Sequence, residues 1–270
     1  MATPFRAIIV DRLTEGPTTV FWDLVTGFKD AGPYRFRLQV GSTGNPFADD
    51  WRDVGSEVVN TYYTTDPDKH DKAKAITTHY RVILSTADRT YISGPVPAMQ
   101  WLDRHQFRVA REMLRRHRKA MERSPFRREG YLLLRRRFGP DCPRCLDPQT
   151  GQVTDINCPV CYGTSKLGGY FAPLPYQFAM ITPRVITERV VSGKATTADD
   201  FRKGTFLGYP VLQTYDVFVD AHSDERFIMG RITQAENIGA VQIIYDIEVG
   251  VPDMSDVVYK FPIPARTGPY

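Results

Sequence analysis

All four cysteines of the chain fall within twenty residues, as Cys142-Pro143-Arg144-Cys145 and Cys158-Pro159-Val160-Cys161, two C-x2-C pairs with twelve residues between them. This spacing reads as a metal site, with two disulfides or four free thiols as the alternatives. Two thiolates from each pair complete a tetrahedron around Zn²⁺, and a tight turn after each pair aims backbone N–H groups at sulfur and spreads its negative charge. Gly163 suits the turn after the second pair. Cys142, Cys145, Cys158 and Cys161 would fill every coordination position and leave none for water, which makes the site structural rather than catalytic. The segment around them is too short to bury a core of its own, and zinc, worth roughly 10–16 kcal/mol of apparent free energy in small modules, would replace that core.

No second constellation with chemistry stands out. The chain lacks G-x4-G-K-S/T, H-E-x-x-H and G-x-S-x-G, and its five histidines (His70, His79, His105, His117, His222) are scattered. Asp220, Asp224 and Glu225 surround what reads as a hairpin turn, where acids ordinarily serve turn chemistry and solubility rather than calcium binding. The expectation is a protein that is not an enzyme and has no small-molecule substrate.

Charge is segregated. The chain carries +4 overall, but the stretch from Arg104 to Arg137 holds thirteen Lys and Arg against three acids, a surplus of ten, which leaves −6 for the remainder. Arg104, Arg108, Arg111, Arg115, Arg118 and Lys119, followed by Arg135, Arg136 and Arg137, form a basic segment suited to phosphates, to an acidic protein neighbour or to water. Arginine dominates it, and the planar guanidinium favours paired contacts with carboxylates and phosphates.

The elements that must position these residues are mostly strands. With 270 residues, 42% hydrophobic and 24% charged, the chain is a folded protein of two or three domains. It has no apolar run of membrane-spanning length, and its first residues carry a charge where a secretory signal keeps an apolar run. Thr18–Val25, Tyr34–Val40, Glu57–Thr64, Thr78–Ser85 and Thr90–Ser93 read as strands; in the second, Tyr34, Phe36, Leu38 and Val40 alternate with Arg35, Arg37 and Gln39. After Pro97 the period becomes helical: Asp103 is a plausible N-cap, a stripe of Leu102, Gln106, Val109, Ala110, Met113, Leu114, His117 and Met121 faces inward, and Ser124-Pro125 stops the helix. From Phe178 onward four or more strands return, ending in the strand-like DVVYKFPI, while Ser192–Gly208 reads as a polar loop or an arm ordered by a neighbour.

The fold class expected is therefore mainly β and multidomain: a β-sandwich (1–96), an Arg-rich helix and linker (97–137), a four-cysteine zinc ribbon (138–172) and a small C-terminal barrel or sandwich (173–270). Trp22, Tyr80-Arg81-Val82-Ile83-Leu84 and Ser93-Gly94-Pro95-Val96 make the first part resemble a fibronectin type III domain, an Ig-like sandwich that serves as spacer or docking surface. The stretch Tyr131–Tyr170, with its Arg-rich lead-in, Cys-Leu-Asp-Pro-x-Thr-Gly and Cys-Pro-x-Cys-Tyr-Gly-Thr ending in Gly-Gly-Tyr, resembles a segment of tailed-phage virion structural proteins. The hairpin Tyr215–Asp220 and Glu225–Met229 is similar to small barrels of phage head-closure and connector proteins. These resemblances imply a non-enzymatic structural component of the virion, a multi-copy connector at the neck between capsid and tail. Its partners would be itself in a cyclic homo-oligomer, neighbouring neck or tail proteins, and DNA, with no membrane. A nucleic-acid-binding zinc-ribbon protein using the Arg-rich segment is the alternative.

Overall fold

The computed structural model describes residues 3–13, 17–25, 27–28, 30, 32–67, 77–147, 150, 152–186, 189–191, 194–196, 200–239 and 241–264. The chain forms two units, one of Met1–Arg115, Arg136–Asp141 and Ile238–Val241, the other of Arg116–Arg135, Cys142–Asn237 and Gln242–Tyr270. The charged stretch containing Lys69 and His70 lies outside the described residues.

In the first unit, strands β1 (Phe5–Asp11), β2 (Thr18–Leu24), β3 (Arg35–Gly41), β4 (Arg52–Val59), β5 (Tyr63–Asp66), β6 (His79–Ser85), β7 (Thr90–Ile92) and β8 (Val96–Pro97) divide into two antiparallel sheets. One has the order β1-β2-β5; the other is β4-β3-β6-β7, with β8 also pairing β6. The alternation read in β3 is realised, with Phe36, Leu38 and Val40 buried and Arg35 and Arg37 exposed. The inner faces meet where the Trp22 ring lies 4.9 Å from that of Phe36, the arrangement of a sandwich.

Glu57–Thr64, read as one strand, is two. The chain leaves the second sheet at Val59, turns at Asn60 in the left-handed region (φ 52°) and joins the first sheet at Tyr63. Asn60 makes this turn because its N–H donates to the Tyr34 carbonyl (2.8 Å) while its side-chain oxygen accepts from the Tyr34 N–H (3.1 Å). Tyr80, fully buried, donates its hydroxyl to the equally buried Asp66 carboxylate at 2.9 Å. Burial and that carboxylate raise the phenol far above its ordinary pKa, so it remains a donor. Tyr80→Phe removes this donor from a buried carboxylate and is expected to cost about 1–3 kcal/mol in denaturant unfolding.

Helix α1 (Arg104–Arg123) begins and ends where the pattern placed it. Its start is a capping box: the Asp103 carboxylate accepts from the Gln106 N–H (2.8 Å), and the Gln106 side chain accepts from the Asp103 N–H (3.0 Å). Gln106 thus caps rather than packs, and Val109, expected on the inner stripe, is 38% exposed, leaving Ala110, Leu114 and Met121 as the helix's buried apolar residues. Asp103→Ala should lower stability by about 1 kcal/mol, read from the melting temperature.

The second unit is built on a closed barrel. Strands β9 (Arg127–Leu133), β10 (Leu174–Ile186), β13 (Asp200–Leu207), β14 (Val217–Asp220), β15 (Arg226–Ile238) and β16 (Val241–Gly250) close in the order β10-β13-β16-β15-β14-β9, and β11 (Arg189–Val191) pairs with β12 (Lys194–Thr196) apart from it. The C-terminal β domain is therefore a barrel, not a sandwich, and the chain as a whole is mainly β. Phe178, Phe206, Phe218 and Phe227 supply one fully buried ring each from four of its strands. Gly130 on β9 is required by close approach: a Cβ there would lie 1.9 Å from the Val219 carbonyl oxygen.

Three sequence expectations change in this unit. β9 falls in the stretch read as a linker, yet it pairs with both β10 and β14. All of Ser192–Gly208 read as a polar loop or arm; Lys194–Thr196 is β12, from Asp200 the chain is a barrel strand pairing from Phe201↔Gly250 to Leu207↔Ile244, and residues 192–193 and 197–199 lie outside the described residues. DVVYKFPI is not a strand. Val257–Lys260 forms a 3-10 helix because the Asp256 carboxylate caps the Val258 N–H at 2.8 Å. No helix among the described residues is long and apolar enough to cross a membrane.

Candidate metal centre

The cysteines lie in the forty residues that connect β9 to β10, two strands that pair with each other from Leu132↔Leu174 onward. The module is thus an elaborated hairpin connection of the barrel. The four sulfurs lie within 4.8 Å of one another, and the side chains are at most 1% exposed. A tetrahedron with Zn–S bonds of 2.3 Å has edges of about 3.8 Å. Cys142 and Cys158 are 3.8 Å apart and Cys145 and Cys161 are 3.2 Å apart, both well beyond the roughly 2.05 Å of a disulfide. The donor set fits one tetrahedral ion. Among the described residues this is the one group of three or more His, Cys, Asp or Glu placed to hold a metal.

The second pair has the turn its sequence called for. Tyr162 N–H donates to the Cys158 carbonyl at 2.8 Å, the Thr164 N–H donates to the Cys161 carbonyl at 2.9 Å, and Tyr162, Gly163 and Ser165 have positive φ. This curvature turns backbone N–H groups onto sulfur, from Val160 and Cys161 to Cys158 and from Gly163 and Ser165 to Cys161. Burial, the largest single effect, raises the Cys158 thiol, but those N–H donors together with hydrogen bonds from the Cys142 and Cys161 side chains outweigh it and bring it down to about 7. Cys145 is pushed up strongly, first by burial and then by the facing sulfurs of Cys161, Cys142 and Cys158. Negative charges so close repel unless a cation sits among them, and that is the chemistry of a metal-ion site. Gly169 lets the chain fold back over the site, since a Cβ there would stand 2.7 Å from the Cys161 carbonyl oxygen.

Aromatic rings join this module to the barrel. Tyr162 and Tyr170 meet Phe261 edge-on at 5.0 and 5.3 Å, and the cluster continues through Leu133, Val217, Val219 and Val258. The Phe171 N–H donates to the Leu134 carbonyl at 2.9 Å. Arg226, 2% exposed, holds the 3-10 helix in place by donating to the carbonyls of Val258 and Phe261 (3.1 Å to the latter). Sequence reasoning missed Arg226, since nothing local separates a buried arginine from an exposed one.

The basic residues are placed differently. Arg104 and Arg108 are exposed and have no acidic partner among the described residues; Lys119 is exposed and Arg118 half-buried. Arg111 is half-buried; the pKa of Arg12 is lowered by burial, against the pull of Tyr80 and Asp66, with the Arg111 charge adding a smaller lowering effect. Arg115 makes two hydrogen bonds of 2.8 Å to Glu112. Arg135, Arg136 and Arg137 do not form an open basic face. The Arg135 N–H donates to the buried Asp216 at 2.9 Å and its guanidinium lies over the Tyr215 ring at 5.5 Å; Arg136 is half-buried; Arg137 lies 3.9 Å from Asp23. The acids weighed for calcium are also engaged. Asp220 is fully buried and accepts from Arg128 at 2.8 Å, and Glu225 pairs with Arg202 at 3.1 Å.

No protein-family model and no curated protein matches the chain. Among solved structures it aligns with "Titin kinase and its flanking domains" at 10% identity and a TM-score of 0.28, over 93% of this chain and 38% of that one. The chain thus spans well under half the length of that structure.

Proposed function

We propose that the chain is a non-enzymatic structural component of a tailed-phage particle, a multi-copy connector at the neck between capsid and tail, in which one Zn²⁺ bound by Cys142, Cys145, Cys158 and Cys161 fixes the fold. The observation that carries the structural part is the insertion of four buried cysteines, their sulfurs within 4.8 Å of one another, into the β9–β10 connection of a closed barrel, tied to it through Tyr162, Tyr170 and Phe261. Such a site has no open coordination position for a substrate or water, and its effect falls on the shape of the barrel end. The sequence resemblance of Tyr131–Tyr170 to virion proteins supports the location. Copies would associate in a ring through head-to-tail interfaces, which need two different patches on each subunit.

Quantitative peptide mass spectrometry on gradient-purified particles tests this reading. Its expected result is the chain at a fixed copy number equal to a ring symmetry of the connector or tail. Absence from particles, with abundant protein in infected cells, would overturn it. Cys142→Ser is expected to lose the metal and to abolish incorporation into particles, measured in the same experiment.

A further inference from the structure

An exposed surface at the start of α1 plays no part in the metal module or the barrel. The Leu102 N–H donates to the Met99 carbonyl at 3.0 Å, which closes a turn whose two central residues, Gln100 (φ 49°) and Trp101 (φ 65°), are both left-handed. Such a turn ordinarily takes Asn or Gly. Gln100 is held there by its side-chain amide, which donates to the Val10 carbonyl. The turn presents Trp101 to solvent at 77% exposure.

One helical turn on, Arg104 and Arg108 share a side of α1, about 6 Å apart along the axis. Both are exposed without an acidic partner among the described residues. Carboxylates alone would pair with the guanidinium groups and leave the exposed indole without a stacking partner. An exposed indole beside unpaired guanidinium groups instead matches a polymer that alternates flat rings with phosphates. The rings must be unpaired, since a duplex hides their faces in the stack.

We infer that Trp101, Arg104 and Arg108 form a binding site for single-stranded nucleic acid, with a base stacked on Trp101 and phosphates held by the two arginines. This site is distinct from the metal module and does not rest on the connector reading.

Fluorescence anisotropy of a labelled oligothymidylate titrated with the full, zinc-loaded chain tests it. Saturable binding at low salt is expected, weakened about fivefold or more by Trp101→Ala and largely retained by Trp101→Phe. Changing both Arg104 and Arg108 to Gln should reduce the slope of log affinity against log salt by about 1.4, or about 0.7 per cation. Circular dichroism melts of the variants should match the parent, because all three side chains are exposed. Absence of binding at low salt, parental affinity in a folded Trp101→Ala chain, or equal competition by polyglutamate would each overturn the inference; the last would point to an acidic protein segment.

Discussion

Cys161→Ser is expected to lose the bound metal and, with it, the order of the ribbon. The ribbon's own core is the four cysteines with Val160 packed against them, so beyond the Tyr162 and Tyr170 contacts to the barrel it has no apolar cluster of its own once the ion is gone. Structural zinc contributes roughly 10–16 kcal/mol of apparent free energy in small modules, far more than one serine could recover. Shortening the connection is a minor part of the effect. Joining Cys142 to Cys161 leaves about half of the forty connecting residues free, and halving a loop is worth only about 0.6 kcal/mol. The larger effect runs through Tyr162 and Tyr170, which lose the fixed backbone that sets them against Phe261. Limited proteolysis of the variant should cut first between residues 142 and 161, and the melting temperature should fall. A chelator applied to the parent chain should reproduce both changes. Unchanged protease resistance and melting after complete metal removal would contradict this account.

Phe178→Ala should cost about 3–5 kcal/mol, a large part of the 5–15 kcal/mol that holds a typical domain together. Phe178 is fully buried, stacks on Phe206 at 4.7 Å and meets Phe218 edge-on at 4.3 Å, with Phe227 at 6.2 Å. One truncation therefore removes contacts from β10 to β13, β14 and β15 together. Gly204 lies directly beneath the ring, where a Cβ would stand 3.1 Å from it, so the packing leaves little room to collapse into the cavity. Phe178→Leu should recover much of the loss. The check is chemical denaturation of both variants with metal present, and a cost below about 1 kcal/mol for alanine would show that the aromatic cluster is not the barrel's core.

The metal ligands were legible because their geometry is local: two C-x2-C turns fix each pair of sulfurs, and only one long-range contact is needed to bring the pairs together. β3 and α1 were legible for the same reason, since Phe36, Leu38 and Val40, or Ala110, Leu114 and Met121, repeat with the period of the element they form. β9 was not. Arg127-Arg128-Glu129-Gly130 has the composition of a linker, and it belongs in a barrel because Arg128 reaches the buried Asp220 and Gly130 lets β14 come close. Both facts depend on residues about ninety positions away. The 3-10 helix at Val257–Lys260 was hidden by a strand-like run of β-branched and aromatic residues, overruled by the Asp256 cap and by Arg226. The triple arginine at 135–137 looked like one basic face. Its residues are divided among a backbone bond to Asp216, a half-buried guanidinium and a contact with Asp23, and no periodicity announces such a division.

The proposed structural role rests on one zinc ion held by the four cysteines. Native mass spectrometry of the chain, purified without added metal, tests it most directly. The mass expected is that of the polypeptide with one zinc ion and its four thiols deprotonated. A metal-free mass lower by four hydrogens, the product of two disulfides, or the mass of the fully reduced metal-free chain would contradict it.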